Sequence, residues 1–275
     1  MKTLSIPVIL AMTLTLGARL ASADLPVYLF NSGQTDFNSK FLTTSFGGLL
    51  PWNTAGINAN GGVNNTGYLE ADSVDQTALW SSGYNWATGT ELTMSLYFKA
   101  RVTAGSTGAG EAIRVGIDAS NTGVLNGGQY LAFGLEDGTA SDNEQLTVTS
   151  REGGTTTTKS GTDLGVGTDN NWYEIRAAIT KKATAGQFKL VLALYNWGAD
   201  GVTGGAQVGS SWTLDGTGAA AGLSTLWNDT DAYFGFRAAV ATGRGVRGLD
   251  NLATIPEPTL LGVLALGGLL LRRKF

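Results

Sequence analysis

From Leu92 to Val102 the chain alternates strictly. Leu92, Met94, Leu96, Phe98, Ala100 and Val102 are apolar, and Thr93, Ser95, Tyr97, Lys99 and Arg101 stand between them. A period of two puts one set on each face of a strand and would scatter the apolar groups around a helix. The same pattern returns at Ile113/Val115/Ile117, Leu131/Phe133/Leu135, Leu146/Val148, Tyr173/Ile175/Ala177/Ile179, Phe188/Leu190/Leu192/Leu194 and Phe234/Phe236/Ala238/Val240. Turn-forming residues separate the runs: Asn126-Gly127-Gly128, Glu136-Asp137-Gly138, Gly153-Gly154, Asp200-Gly201 and Thr242-Gly243. Thr155–Thr158, directly after Gly153-Gly154, reads as an exposed hairpin arm. Many strands joined by short turns, without a long segment of helical period, predict an antiparallel all-β sandwich. One helical turn is expected around Gly218–Leu226, where three consecutive alanines favour it.

One run departs from simple alternation. Between Gln187 and Trp197, Phe188, Leu190, Leu192 and Leu194 suit a core, yet Val191, Ala193, Tyr195 and Trp197 on the opposite face are apolar too. Such a strand is either covered on both sides or lines a groove. Tyr195 and Trp197, with Tyr97 from the polar face of the 91–102 run, are therefore the candidates for a sugar-stacking surface, provided the two runs share a sheet. Trp52, Trp80, Trp86 and Trp212 lie in loop-like sequence and are further stacking candidates.

The ends of the chain have a different character. Lys2, the apolar run Leu4 to Leu16, and Ala21-Ser22-Ala23 before Asp24 have the order of a secretory signal peptide cleaved between Ala23 and Asp24. The translocon and signal peptidase are the partners this implies. At the other end, Pro256-Glu257-Pro258 precedes an apolar run, Leu260 to Leu271, and then Arg272-Arg273-Lys274. That run is short of the roughly 20 residues of a stable spanning helix, and the basic end would be held on the cytoplasmic side. Transient membrane insertion fits this tail better than permanent anchoring.

The C-terminal stretch resembles a PEP-CTERM sorting signal, with Pro256, Glu257 and Pro258 as the tripeptide and Arg272 and Arg273 as the basic terminus. The resemblance implies recognition by an exosortase, a membrane-embedded cysteine transpeptidase. It also implies a final place in the envelope, on the outer surface or in the extracellular matrix of a Gram-negative bacterium, after an inner-membrane stage. The expected organisation is a signal peptide (1–23), a β-sandwich domain (24–254) and a sorting signal (255–275).

Composition narrows the chemistry. The 275 residues include no histidine and no cysteine, which excludes a Ser-His-Asp triad, a thiol nucleophile, a thiolate metal site and disulfides. Five of the 18 basic residues and one of the 22 acidic ones lie in the two ends, so residues 24–255 carry a net charge of −8. An acidic surface disfavours nucleic acid and anionic lipid as partners.

The body itself resembles a concanavalin A-like, laminin-G-like jelly roll. The residues that carry this are Tyr28-Leu29-Phe30, Gly67-Tyr68-Leu69, the long Glu91–Val102 strand, Trp172-Tyr173-Glu174-Ile175-Arg176, Phe234-Gly235-Phe236-Arg237 and the closing Gly248-Leu249-Asp250-Asn251-Leu252. The resemblance implies a search for the paired carboxylates of β-glucan hydrolases, about 5–5.5 Å apart in retaining enzymes. Glu70-Ala71-Asp72-Ser73-Val74-Asp75 is the nearest approach, with Asp75 where a glutamate is needed and no apolar flank to raise an acid's pKa. Calcium would find oxygen ligands around Asp137, Asp142, Asn143 and Glu144, although the spacing is not that of an EF-hand and turns use the same residues. No other cofactor is implied. The reading is an exported, sorted, non-enzymatic envelope or matrix protein whose jelly-roll body has either a structural or a carbohydrate-binding role, with extracellular polysaccharide as the partner in the second case. The alternatives are a glycosidase using Glu70 and Asp75, or a self-associating coat protein without ligand.

Overall fold

The computed structural model describes residues 27–30, 36–45, 57–58, 61–70, 76–86, 91–102, 111–122, 125, 128–137, 144–164, 171–215, 223–238 and 244–256. The described strands, in chain order, are β1 (Val27–Tyr28), β2 (Phe41–Ser45), β3 (Ile57–Asn58), β4 (Tyr68–Glu70), β5 (Gln76–Trp80), β6 (Glu91–Val102), β7 (Glu111–Asp118) and β8 (Tyr130–Asp137). They continue with β9 (Glu144–Glu152), β10 (Thr155–Asp163), β11 (Trp172–Lys181), β12 (Phe188–Asn196), β13 (Ala206–Asp215), β14 (Tyr233–Ala238) and β15 (Arg244–Pro256). They form two antiparallel sheets. One has the order β13-β12-β11-β6-β15-β4-β3, with β1 also on β15, and the other β10-β9-β8-β7-β14-β5-β2. The expected all-β sandwich is what the chain forms.

The alternating runs set the core. Leu92, Met94, Leu96 and Phe98 of β6, Tyr173, Ile175, Ala177 and Ile179 of β11, and Phe188, Leu190, Leu192 and Leu194 of β12 all point inward. They face Ile113, Val115, Phe133, Leu146, Phe234 and Phe236 of the other sheet. Near the start of the body Tyr28, Phe30, Phe37, Phe41, Trp80 and Phe236 make an aromatic cluster, edge-to-face between Tyr28 and Phe41 and between Phe41 and Trp80 (centroids 5.1 Å apart in each) and stacked between Phe37 and Phe41 (4.7 Å). Each such buried aromatic removes a large apolar area from water, and edge-to-face pairs add about 0.5–1.5 kcal/mol.

The turns follow their residues. Gly153 and Gly154 both have positive φ (57° and 84°), so the β9–β10 hairpin closes in two residues, and most of Thr155–Thr158 is exposed as expected. The helical turn lies at Ser224–Trp227, at the C-terminal end of the expected stretch; residues 216–222 are outside the described part.

Two of the tryptophans assigned to loops, Trp80 and Trp212, lie on strands, and Trp86, which does lie between strands, is buried. Trp80 closes β5 and is buried, and Trp86 is fully buried beside Phe188. Trp212 is half-buried on β13 and covers Gly161 of β10, where a Cβ would lie 3.1 Å from its ring, so it closes the sandwich between the two edge strands. None of these three is a free stacking surface, because each seals an end or edge where the alternation of the sheets runs out. Trp52 lies outside the described residues. Lys181 closes the same end as Trp86. Its Nζ donates to the Trp86 and Trp227 carbonyls and sits over both rings, and burial pushes its pKa down to about 8.

The closing Asp250 is fully buried on β15. Its Oδ2 accepts from the Val63 N–H (2.8 Å) and the Thr66 hydroxyl (3.3 Å), and its Oδ1 from the Asn251 N–H (2.8 Å). The carboxylate thus ties the turn around Val63–Asn65 onto the sheet. Among the described residues no helix is long and apolar enough to cross a membrane.

Candidate carbohydrate-binding face

β11 is the spine of the candidate site. With Tyr173, Ile175, Ala177 and Ile179 turned to the core, Trp172, Glu174, Arg176 and Ala178 must face outward. In register, Glu174 lies between Tyr97 on β6 and Tyr195 on β12. The three aromatic candidates therefore share one sheet and one face, and Trp197 follows directly after β12.

Glu174 organises them. Its carboxylate accepts a bidentate pair from Arg176, Nε at 2.8 Å and Nη2 at 2.7 Å, and a third bond from Trp197 Nε1 at 2.9 Å. The Tyr97 hydroxyl bonds to it as well, and burial, reinforced by the carboxylate's charge, pushes that phenol up to about 12. Tyr97 and Trp197 meet above it with ring centroids 5.9 Å apart, inclined by 33°. Arg176 is held charged above its usual value, first by the Glu174 hydrogen bond, and its guanidinium lies 4.2 Å over the Tyr195 ring. With four donors directed at it, Glu174 holds the surrounding side chains in position.

The segment after Trp197 is shaped to hold the indole. Gly205 has φ +86°, and a Cβ there would lie 2.9 Å from the Trp197 ring, so only glycine lets the backbone come so close. Asp200 Oδ1 fixes this loop by accepting from Val202 N (2.9 Å), Thr203 N (3.0 Å) and the Thr203 hydroxyl (2.9 Å). The Asp200 carbonyl takes the Asn64 N–H at 2.8 Å, which joins the loop to the turn held by Asp250. Farther along the same face Lys99 sits 5.6 Å over the Trp172 ring, and Tyr68 meets Trp172 edge-on at 6.0 Å.

This arrangement offers aromatic ring surface, an ion pair with outward guanidinium N–H groups, and a small-residue floor of Thr93, Ser95 and Ala178, all half-buried. Glu174 and Arg176 were not singled out by sequence as binding residues. The signal for them was the Tyr173/Ile175/Ala177/Ile179 alternation itself, which turns them to the face of Tyr97 and Tyr195.

The other candidates are placed less completely. Asp137 ends β8 and Glu144 opens β9 as register partners, while Asp142 and Asn143 lie outside the described residues. Among the described residues no three His, Cys, Asp or Glu side chains come together as a metal site. Glu70 ends β4 opposite Gly248, and Asp75 lies outside the described residues. So do Ala23, Asp24, Glu257, Pro258, Arg272 and Arg273, whereas Pro256 is the last residue of β15.

No protein-family model matches the sequence, and no curated protein does. Solved structures do match. Lectin II from Ulex europaeus superposes with a TM-score of 0.53 at 10% identity, covering 85% of this chain and 98% of that one. A lectin from Bauhinia forficata in complex with GalNAc follows at 0.48 and 10%, covering 86% and 100%. The enzymatically active domain of tailspike protein 2 from bacteriophage CBA120 gives 0.44 and 13%, covering 88% of this chain but 31% of that one. At these identities the likeness concerns the fold, and the body of this chain is a legume-lectin-like, concanavalin A-like jelly roll.

Proposed function

We propose that this protein is an exported, exosortase-sorted component of the cell envelope or extracellular matrix, and that its jelly-roll body binds carbohydrate without hydrolysing it. The observation that supports binding is the convergence of Tyr97, Tyr195 and Trp197 around the Glu174–Arg176 pair on one outer sheet face. Sugars stack their apolar C–H faces on aromatic rings, and their hydroxyls accept from planar donor arrays such as a guanidinium. Because Glu174 neutralises Arg176, the pair offers donors without net charge, which suits a neutral polysaccharide.

Export and sorting rest on the two terminal sequences. The register adds a geometric argument for a surface role. Pro256 pairs with Leu92, five residues along β6 from Tyr97, which is about 17 Å at the rise of a strand. A body held by its tail would present the aromatic face away from the attachment point.

Two observations speak against self-association through sheet edges. Edge strand β13 carries a bulge where its register shifts opposite Leu192 and Leu194, pinned by Gln207 Nε2 donating to the Gly209 carbonyl and the Ser211 hydroxyl. Edge strand β10 has its own irregularity after Ser160 and an exposed Lys159. Bulges and lysines are the usual means of blunting an edge.

The test is a glycan array probed with residues 24–256, with calcium and again with chelator. Saturable binding that weakens at least tenfold in Tyr195→Ala supports the reading. Clean absence of binding by folded protein overturns it.

A further inference from the structure

Strand β15 does not stop short of the sorting tripeptide. It runs into it. Ala253, Thr254, Ile255 and Pro256 pair with Ser95, Met94, Thr93 and Leu92 of β6, and on the other side Leu252 and Ala253 pair with Tyr28 and Val27 of β1. As far as Ala253, β15 is flanked by β6 on one side and by β4 and then β1 on the other, and at residues 254–256 its described pairing is with β6. The first residue of the tripeptide is thus itself a member of the sheet, and no spacer separates fold from signal.

This placement sets two demands on the same atoms. An enzyme that cuts a peptide holds it extended and bonds its backbone N–H and C=O groups as an added strand would. Alternate residues of 253–256 turn those groups to β6, and Ala253 is also in register with Val27 of β1. A backbone group committed to the ladder cannot also serve an enzyme cleft, and leaving it unpaired on transfer costs free energy. Local opening of a strand end is far cheaper than global unfolding, so the paired end is a gate and not a permanent block.

We propose that pairing of residues 253–256 with β6 withholds the sorting sequence, so that the tail is removed only from chains in which the end of β15 is undocked. This rests on the sorting reading given above. The chemistry gated is one exchange. The exosortase thiol attacks a carbonyl carbon near the tripeptide, that peptide bond breaks, and the tail leaves as an amine carrying the thiol's proton. Water or an acceptor amine then displaces the thiol from the resulting thioester. Sheet and enzyme compete for the substrate before the first of these steps.

Pulse-chase labelling of the full chain in an exosortase-bearing host tests this, with three variants. The first carries Gly-Ser-Gly-Ser inserted between Ile255 and Pro256, which moves the tripeptide clear of the sheet. The second is Thr93→Cys with Ile255→Cys, an opposed antiparallel pair within disulfide reach in a chain that has no other cysteine. In the third, Pro256, Glu257 and Pro258 are all alanine. Processing is expected to run several-fold faster than wild type in the insertion variant. In the oxidised cysteine pair it should run several-fold slower and recover when reductant is added. Circular dichroism confirms that the first two fold. Equal rates in wild type, insertion and oxidised pair overturn the gate and leave the sorting reading standing. If wild type and insertion variant both remain precursors, as the alanine variant should, the sorting reading falls and the gate with it.

Discussion

Tyr97 on β6 and Trp197, the residue after β12, are separated by β11, yet their ring centroids stand 5.9 Å apart and the carboxylate of Glu174 bonds to both side chains. Two rings arched across an intervening strand make a wider surface than either alone, and the buried carboxylate fixes their relative position. The cost of burying the Glu174 carboxyl group under them is offset by the Arg176 fork and the indole N–H.

Removing the fork exposes that dependence. Arg176→Met leaves Glu174 buried with two of its four donors gone. It should lower stability by about 1–3 kcal/mol, the cost of an under-satisfied buried acceptor, moderated because Arg176 is 41% exposed. Arg176→Met combined with Glu174→Gln should recover part of the loss, and chemical denaturation of all four proteins measures the coupling. Strict additivity would show that the pair does not act as a unit.

The loop that shelters Trp197 should be sensitive at one glycine. Gly205→Ala places a methyl against the indole at a positive φ, and we expect a loss of about 1–3 kcal/mol together with altered tryptophan fluorescence. A silent substitution would mean that the loop does not hold the ring.

Two buried carboxyls give the fold a pH signature. Burial outweighs the N–H groups donated to Asp118 and Asp250 and raises both to about 6. The folded state therefore holds these protons more tightly than the unfolded chain. The stability they contribute is full below about pH 4 and lost as pH rises through about 6. Asp118→Asn and Asp250→Asn each lose an acceptor oxygen and should melt lower at every pH. The informative readout is the change in Tm between pH 4 and pH 7, which should shift upward with pH in each variant relative to wild type. An unchanged difference between variant and wild type across that range would contradict the assignment.

Lys181 joins three segments by its bonds to the Trp86 and Trp227 carbonyls. Lys181→Met keeps the packing between the two rings and removes both bonds. A fall in stability of about 1–3 kcal/mol is expected by thermal denaturation. No fall would assign the contact to packing alone.

The long strands were legible because each has one face in the core, and a period of two survives in the sequence of β6, β11 and β12. The placement of Tyr97, Tyr195 and Trp197 on one face followed from the same period once β6 and β12 proved to share β11. Glu174 and Arg176 were harder to find, since a charged pair on an outer strand face reads as ordinary solvent-facing sequence. Their partners come from β12 and the residue after it, about 20 positions away, and from Tyr97 on β6, and only the register joins them. Trp80 and Trp212 misled for the opposite reason: they seal an end and an edge where alternation stops, so they read as loops, whereas Trp86 does lie between strands and is buried there. Strands as short as β1 and β3 span two residues each and leave no period to read.

Isothermal titration of residues 24–256 with the best ligand from the glycan array, alongside Tyr195→Ala and Trp197→Ala, decides whether this face binds sugar. Saturable binding by wild type and at least tenfold weaker binding by both variants are expected, with unchanged far-ultraviolet circular dichroism. Wild-type affinity retained in both folded variants would contradict this and move the binding site off this face.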